Sequence, residues 1–169
     1  ITLTQANDFT GAVSLNNSGA NNVAVTDANA LILGTSSVGT GTLTVVATGA
    51  NSITQSGAIT QAASAGTATF SAGANAITLT QANDFTGAVS ATNTGANAVQ
   101  ITDANALQLG TISTANNLAA TGVGVTQDTG GLTVGGTTTI NAGAGVITLG
   151  TAGNALTGAV SLNNSGANN

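Results

Sequence analysis

Seven times in 169 residues the chain returns to one short turn, Gly-Ala-Asn or a degenerate form of it, beginning at Gly19, Gly49, Gly73, Gly95, Gly122, Gly143 and Gly166. The intervals are 30, 24, 22, 27, 21 and 23 residues. The third position is always Asn or Gly: Asn21, Asn51, Asn75, Asn97, Gly124, Gly145 and Asn168. These two residue types most readily accept a left-handed backbone, where a Cβ is otherwise penalised. A corner that returns about every 24 residues, followed each time by a short apolar strand pattern, reads as a solenoid. The seven third positions are therefore expected to take positive φ and to stack in a column along one edge.

A longer period lies above the short one. Residues 1–35 return at 77–111 with 28 of 35 positions identical, and a third copy opens at Ile147 and matches residues 10–22 over 157–169. This divides the chain into long repeats 1–76, 77–146 and a partial 147–169, each expected to span about three coils of a single solenoid segment. The chain opens and closes inside this pattern, so it reads as a segment of a longer protein.

Differences between the copies show which way side chains point. Ala24 becomes Gln100 between Val99 and Ile101, and Ile32 becomes Gln108 between Leu107 and Leu109. Polar replacement at alternate positions is the period-2 signature of a strand with one buried face. Val23, Val25, Leu31, Leu33, Val99, Ile101, Leu107 and Leu109 are thus the expected inward core. Further strands are expected at Ile1–Thr4, Ala12–Leu15, Leu43–Val46, Ser52–Gln55, Ala58–Thr60 and Thr67–Phe70, separated by turns rich in Gly, Asn, Ser and Asp. No apolar i, i+3, i+4 pattern suggests a helix. The expected fold is all-β: a parallel β-helix of about 24 residues and three short strands per coil, in about seven coils. A string of immunoglobulin-like sandwiches is the rival, but those carry a core Trp or Tyr, and the chain has neither.

Composition narrows function mainly by exclusion. Lys, Arg, Glu, His, Cys, Met, Trp, Tyr and Pro are all missing, and five Asp are the only ionisable side chains. Without cations there is no means of neutralising nucleic-acid phosphates or anionic lipid. No apolar run is long enough to span a bilayer, and no thiol can bridge or bind metal. Trypsin has no site to cut. Such a chain suits an exposed, oxidising, protease-rich setting outside a cell.

The candidate chemistry is sparse. Asp8 and Asp84 are repeat equivalents, as are Asp27 and Asp103; three coils should keep each pair roughly 14 Å apart, too far for paired-carboxylate catalysis. Each is locally alone, whereas calcium wants a cluster. They read, with Asp128, as turn residues that cap their own backbone. Ser and Thr lack any His or Lys to activate them, so no catalytic, cofactor or metal residue is expected. Thr-x-Thr at Thr2/Thr4, Thr42/Thr44, Thr67/Thr69, Thr78/Thr80 and Thr137/Thr139 could form a flat ice- or carbohydrate-binding face. Their irregular spacing argues instead for ordinary outward strand positions. Asn16-Asn17-Ser18 and Asn163-Asn164-Ser165 fit the glycosylation sequon, although the middle copy has Thr92-Asn93-Thr94 there.

The phrases NDFTGAVSLNNSGANNVAVTDANALILG and GTLTVVATGANSITQSGAIT resemble the repetitive shaft of filamentous haemagglutinin-like exoproteins. The resemblance implies a right-handed β-helix, export through an outer-membrane partner transporter, and a role in adhesion, aggregation or biofilm matrix at the bacterial surface. Expected partners are then flanking repeats of the same chain, or further copies in head-to-tail self-assembly, with no nucleic acid and no cofactor.

Overall fold

The structure, a computed structural model, describes residues 1–168. It is an all-β parallel solenoid of about 8 turns with roughly 21 residues per turn. The first turn carries β1 (Thr2–Asn7). The second carries β2 (Val23–Asp27), β3 (Leu31–Leu33) and β4 (Ser36–Val38), and the third β5 (Leu43–Ala47), β6 (Ile53–Gln55) and β7 (Ile59–Gln61). The fourth holds β8 (Ala68–Ser71) and β9 (Ile77–Asn83), and the fifth β10 (Val89–Thr92), β11 (Val99–Asp103) and the start of β12 (Leu107–Thr114). The end of β12, β13 (Leu118–Thr121) and β14 (Val125–Gln127) form the sixth. β15 (Leu132–Val134), β16 (Thr138–Asn141) and β17 (Ile147–Thr148) form the seventh, and β18 (Ala155–Leu156) with β19 (Val160–Asn163) the eighth.

Each turn visits three faces in order. The first face stacks β1, β2, β5, β8, β10, the Ile112–Thr114 end of β12, β15 and β18. The second stacks β3, β6, β9, β11, β13, β16 and β19. The third pairs β4 with β7, bridges Thr60 to Asp84, and resumes with the Leu107–Leu109 end of β12, β14 and β17. Every named pairing is parallel, so backbone hydrogen bonds run along the axis and join residues one turn apart.

The alternation read from the repeats sets the core. Val23, Val25, Leu31, Leu33, Val99, Ile101, Leu107 and Leu109 are all buried, while Gln100 and Gln108 are exposed. Inward residues stack in register, as in Leu31–Ile53–Ile77–Val99–Leu118 on the second face. The next residue in that column is Thr138, fully buried, with a hydroxyl that has no partner among the described residues. A buried hydroxyl without a hydrogen bond carries its desolvation cost uncompensated. Thr138→Val is therefore expected to raise stability by about 1 kcal/mol, measured as a shifted midpoint in chemical denaturation; a destabilised variant would contradict this.

Four expectations need correction. First, turns are shorter and more numerous than the motif spacing suggests. Registered partners lie 20 residues apart for Val23↔Leu43, 25 for Leu43↔Ala68 and 18 for Leu107↔Val125. The motif intervals of 30 and 27 exceed every one of these because the motif changes corner there. Gly19 lies between the third and first faces; Gly49, Gly73 and Gly95 lie between the first and second; Gly122, Gly143 and Gly166 lie between the second and third. Asn51, Asn75 and Asn97 thus share one column, Gly124, Gly145 and Asn168 a second, and Asn21 stands in the remaining one.

Second, the third positions do not carry the positive φ, Gly124 (φ 94) excepted. Asn21, Asn51, Asn75, Asn97, Gly145 and Asn168 do not have it; Gly49 (φ 70), Gly73 (φ 54) and Gly143 (φ 51), the first residues of the motif, do. The Asn serves through its side chain. Asn51 Nδ2 donates to the Ala28 carbonyl at 2.8 Å, Asn75 to Ala50 at 3.1 Å, Asn97 to Ala74 at 2.9 Å and Asn168 to Ala144 at 2.6 Å. Each bond reaches the corner one turn below and satisfies a carbonyl that strand pairing cannot reach. Asn116 extends the ladder to Ala96 at 2.7 Å, although no Gly-Ala precedes it.

Third, Ala12–Leu15 is no strand, although Val13 bridges to Leu33. Its repeat equivalent, residues 88–91, has a neighbour on each side and supplies most of β10.

Fourth, a long repeat advances three turns and one further face. The Ile1 strand lies on the first face, its equivalent at Ile77 on the second, and that at Ile147 on the third. One sequence is thus folded against all three sheets in succession. Asp8 and Asp84, and Asp27 and Asp103, consequently lie beside different faces as well as in different turns, and the latter pair is buried.

Candidate functional site

The carboxylates build corners. Asp103 is buried; one oxygen accepts the amide of Asn105 at 2.8 Å, the other that of Phe85 in the preceding turn at 2.9 Å. Asp27, equally buried, accepts from Phe9 at 3.2 Å and Asn29 at 3.4 Å through one oxygen. Both therefore cap their own turn and tie it to the one below. Burial pushes the Asp103 carboxyl above its usual range, the Asn105 and Phe85 amides oppose this, and the Asp84 carboxylate adds to the rise. A raised folded-state value means that the folded chain holds this proton more firmly than the unfolded one. The stabilisation is complete below the unfolded carboxyl range and is lost as pH climbs through the raised value. Thermal melts at pH 3 and pH 7 should show the wild type gaining from acid relative to Asp103→Asn. Equal responses in the two proteins would contradict the assignment.

Among the described residues no group of three His, Cys, Asp or Glu lies together. A recess of about 410 Å³ opens on the side of the last turns, lined by Asn141, Gly143, Leu162, Asn163, Asn164 and Ser165. No base or nucleophile pair faces it.

The outward faces are more orderly than the spacing of Thr-x-Thr in the sequence. On the first face Thr44, Thr69 and Ser90 stand in register. Beside them runs Val46, Ser71, Thr92, Ser113 and Thr133. The irregular intervals are absorbed in corners of different length, so the strands still align. Thr2, Thr4, Thr42 and Thr67 belong to or border this face, and Thr78, Thr80, Thr137 and Thr139 the second. Two columns about 7 Å apart with a rise of about 4.8 Å make a flat hydroxyl and methyl surface, broken by Ala24 and Val46.

A feature that residue patterns did not single out is an amide clasp, present twice. Gln55 Nε2 donates to Asn83 Oδ1 at 2.7 Å and Asn83 Nδ2 returns to Gln55 Oε1 at 3.1 Å. Gln127 and Asn154 repeat the pair at 2.7 and 3.0 Å. In each, the Asn oxygen also accepts a backbone amide one turn below, Ile59 at 2.9 Å or Leu132 at 2.9 Å. The signal in the sequence was the retention of Asn7, Asn83 and Asn154 across repeats, even where Ala155 replaces the neighbouring Asp.

Parallel turns, inward apolar columns and corner amide ladders define a β-solenoid repeat protein. The chain belongs to the family described as Repeats of unknown function (DUF5649), whose model matches residues 20–92 and 96–163. The two matches start 76 residues apart, the offset of the long repeat. No curated protein and no solved structure matches the chain.

Proposed function

We propose that this chain is a non-enzymatic structural shaft segment of a bacterial extracellular fibre or adhesin. The observation that carries the reading is the continuous eight-turn stack, hydrogen-bonded along its axis, whose outward faces bear uncharged side chains. Such a rod projects or connects; its surface offers little to proteases or oxidants. The resemblance to filamentous haemagglutinin-like shafts supports surface location, export through an outer-membrane partner transporter, and adhesion, aggregation or matrix as the wider role. Flanking repeats of the same chain are the natural neighbours at its axial edges, with head-to-tail assembly as the other arrangement.

Electron microscopy of the secreted protein tests this. Each long repeat should add roughly 16 Å of rod, from three and one-third turns at about 4.8 Å each. Beads on a string, or a length unrelated to repeat number, would contradict the shaft.

The aligned columns on the first face favour one second reading, a solenoid that binds ice or carbohydrate there. Thermal hysteresis or glycan retention by the purified chain, abolished by Thr69→Lys with Thr92→Lys, would support it. Activity unchanged in that variant, or none in the wild type, would remove it.

A further inference from the structure

The chain contains its own before-and-after comparison. ITLTQANDF occurs at residues 1–9 and again at 77–85. At the second site a turn lies beneath it, and Ile77 and Leu79 are 0% exposed; at the first, Ile1 and Leu3 are 40% and 38% exposed. The polar contacts differ in the same way. Asn7 Nδ2 donates to the carbonyls of Leu3, Gln5 and Thr26, each at 2.9 Å. Asn83 makes the equivalent bonds to Leu79, Gln81 and Thr102. Asn83 adds to these the clasp with Gln55, whose Oε1 also takes the Gln81 amide at 3.4 Å. In the third copy Gln127 Oε1 takes the Thr151 amide at 3.3 Å. What lies beneath the buried copies has a common form. Ile53-Thr54-Gln55 sits under Ile77 and Val125-Thr126-Gln127 under Ile147.

We propose that the axial edge of the first turn, formed by Ile1, Leu3, the Gln5 amide and the Asn7 carboxamide, is a docking surface for a solenoid turn that carries an Ile/Val-Thr-Gln strand. The inference rests on the shaft reading and names the neighbour that reading requires. The Ile or Val covers Ile1, and the Gln amide reaches Asn7 and the Gln5 N–H in the three-bond pattern seen twice elsewhere in the chain. Residues 147–168 contain no Gln, so that turn of a second copy does not supply it. The edge therefore selects its neighbour by one amide, and joins repeats in one order and register.

The test extends the whole chain at its N-terminus with a second copy of residues 43–76, a junction the chain already uses before Ile77. Hydrogen exchange is followed for Leu3–Phe9 and, as reference, Leu79–Phe85. Docking should slow exchange of Leu3–Phe9 by at least about tenfold, and a Gln→Ala change at the added copy of Gln55 should return about tenfold of the protection. In the unextended chain, raising the concentration should leave Leu3–Phe9 unprotected. The proposal is overturned by an extension that gives no protection, by protection that ignores the Gln→Ala change, or by concentration-dependent protection of the unextended chain, which would make a second copy the occupant. Small-angle scattering on the same samples separates this outcome from the shaft reading, since an extended rod with unprotected Leu3–Phe9 overturns the docking proposal alone.

Discussion

Gly73→Ala is expected to destabilise the chain by about 3–5 kcal/mol, among the largest effects a single methyl group can have. Two physical costs coincide there. Gly73 holds φ 54, and a Cβ built on it would overlap the Gly49 carbonyl oxygen of the turn below. The left-handed backbone alone costs an L-residue about 1–2 kcal/mol. The clash adds more, because the obstacle is backbone fixed by the Ala74 amide donating to that same carbonyl at 3.3 Å. Relief would require the corner of one turn to lift from the next. The matched control is Gly150→Ala, where a Cβ meets nothing within 4 Å and φ is not positive. That variant should be neutral or stabilised by up to about 1 kcal/mol through the unfolded chain. Denaturant midpoints of the two variants decide the matter; similar values would deny that turns approach closely at this corner.

Phe70→Ala follows, at about 3–5 kcal/mol. Phe70 is fully buried on the first face, in register between Val45 below and Ala91 above, with the Phe85 ring edge-on at 6.0 Å and 73°. Ala91 is small for a reason. The equivalent position in the first repeat is Leu15, and the exchange makes room for the ring. Ala91→Leu alone should cost about 1–3 kcal/mol by overpacking. Combined with Phe70→Ala, the larger side chain refills part of the cavity, so the double variant should be more stable than the sum of the single changes predicts. Strict additivity would mean that the two residues do not share a cavity.

Much of the fold was legible because repeats supply their own controls. Ala24 against Gln100 and Ile32 against Gln108 separated outside from inside, and the inward residues so identified are all buried. The corner assignment was not legible. Gly-Ala-Asn solves the same local problem at each of three corners, so its chemistry does not reveal which corner it occupies, and turns of 18 to 25 residues blur the count. The role of the Asn was hidden for a related reason. Local preference pointed to a left-handed backbone, whereas Asn97 acts through a carbonyl 23 residues away. Ser64, at φ 61, shows the converse: a left-handed residue that no pattern flagged, in the loop of the longest turn. The outward Thr columns and the Gln55–Asn83 clasp likewise exist only once neighbouring turns are in register.

The core, the corner ladders and the outward columns all depend on turns stacked in that register. Spin labels at Thr26 and Thr133 probe it directly, since the column Thr26, Val46, Ser71, Thr92, Ser113, Thr133 links them through five successive turns. Pulsed electron resonance should give one narrow distance near 24 Å, five rises of about 4.8 Å, although the two positions lie 107 residues apart in sequence. A broad distribution, or a separation of about 40 Å or more as expected for globular domains in series, would contradict the solenoid and the shaft together.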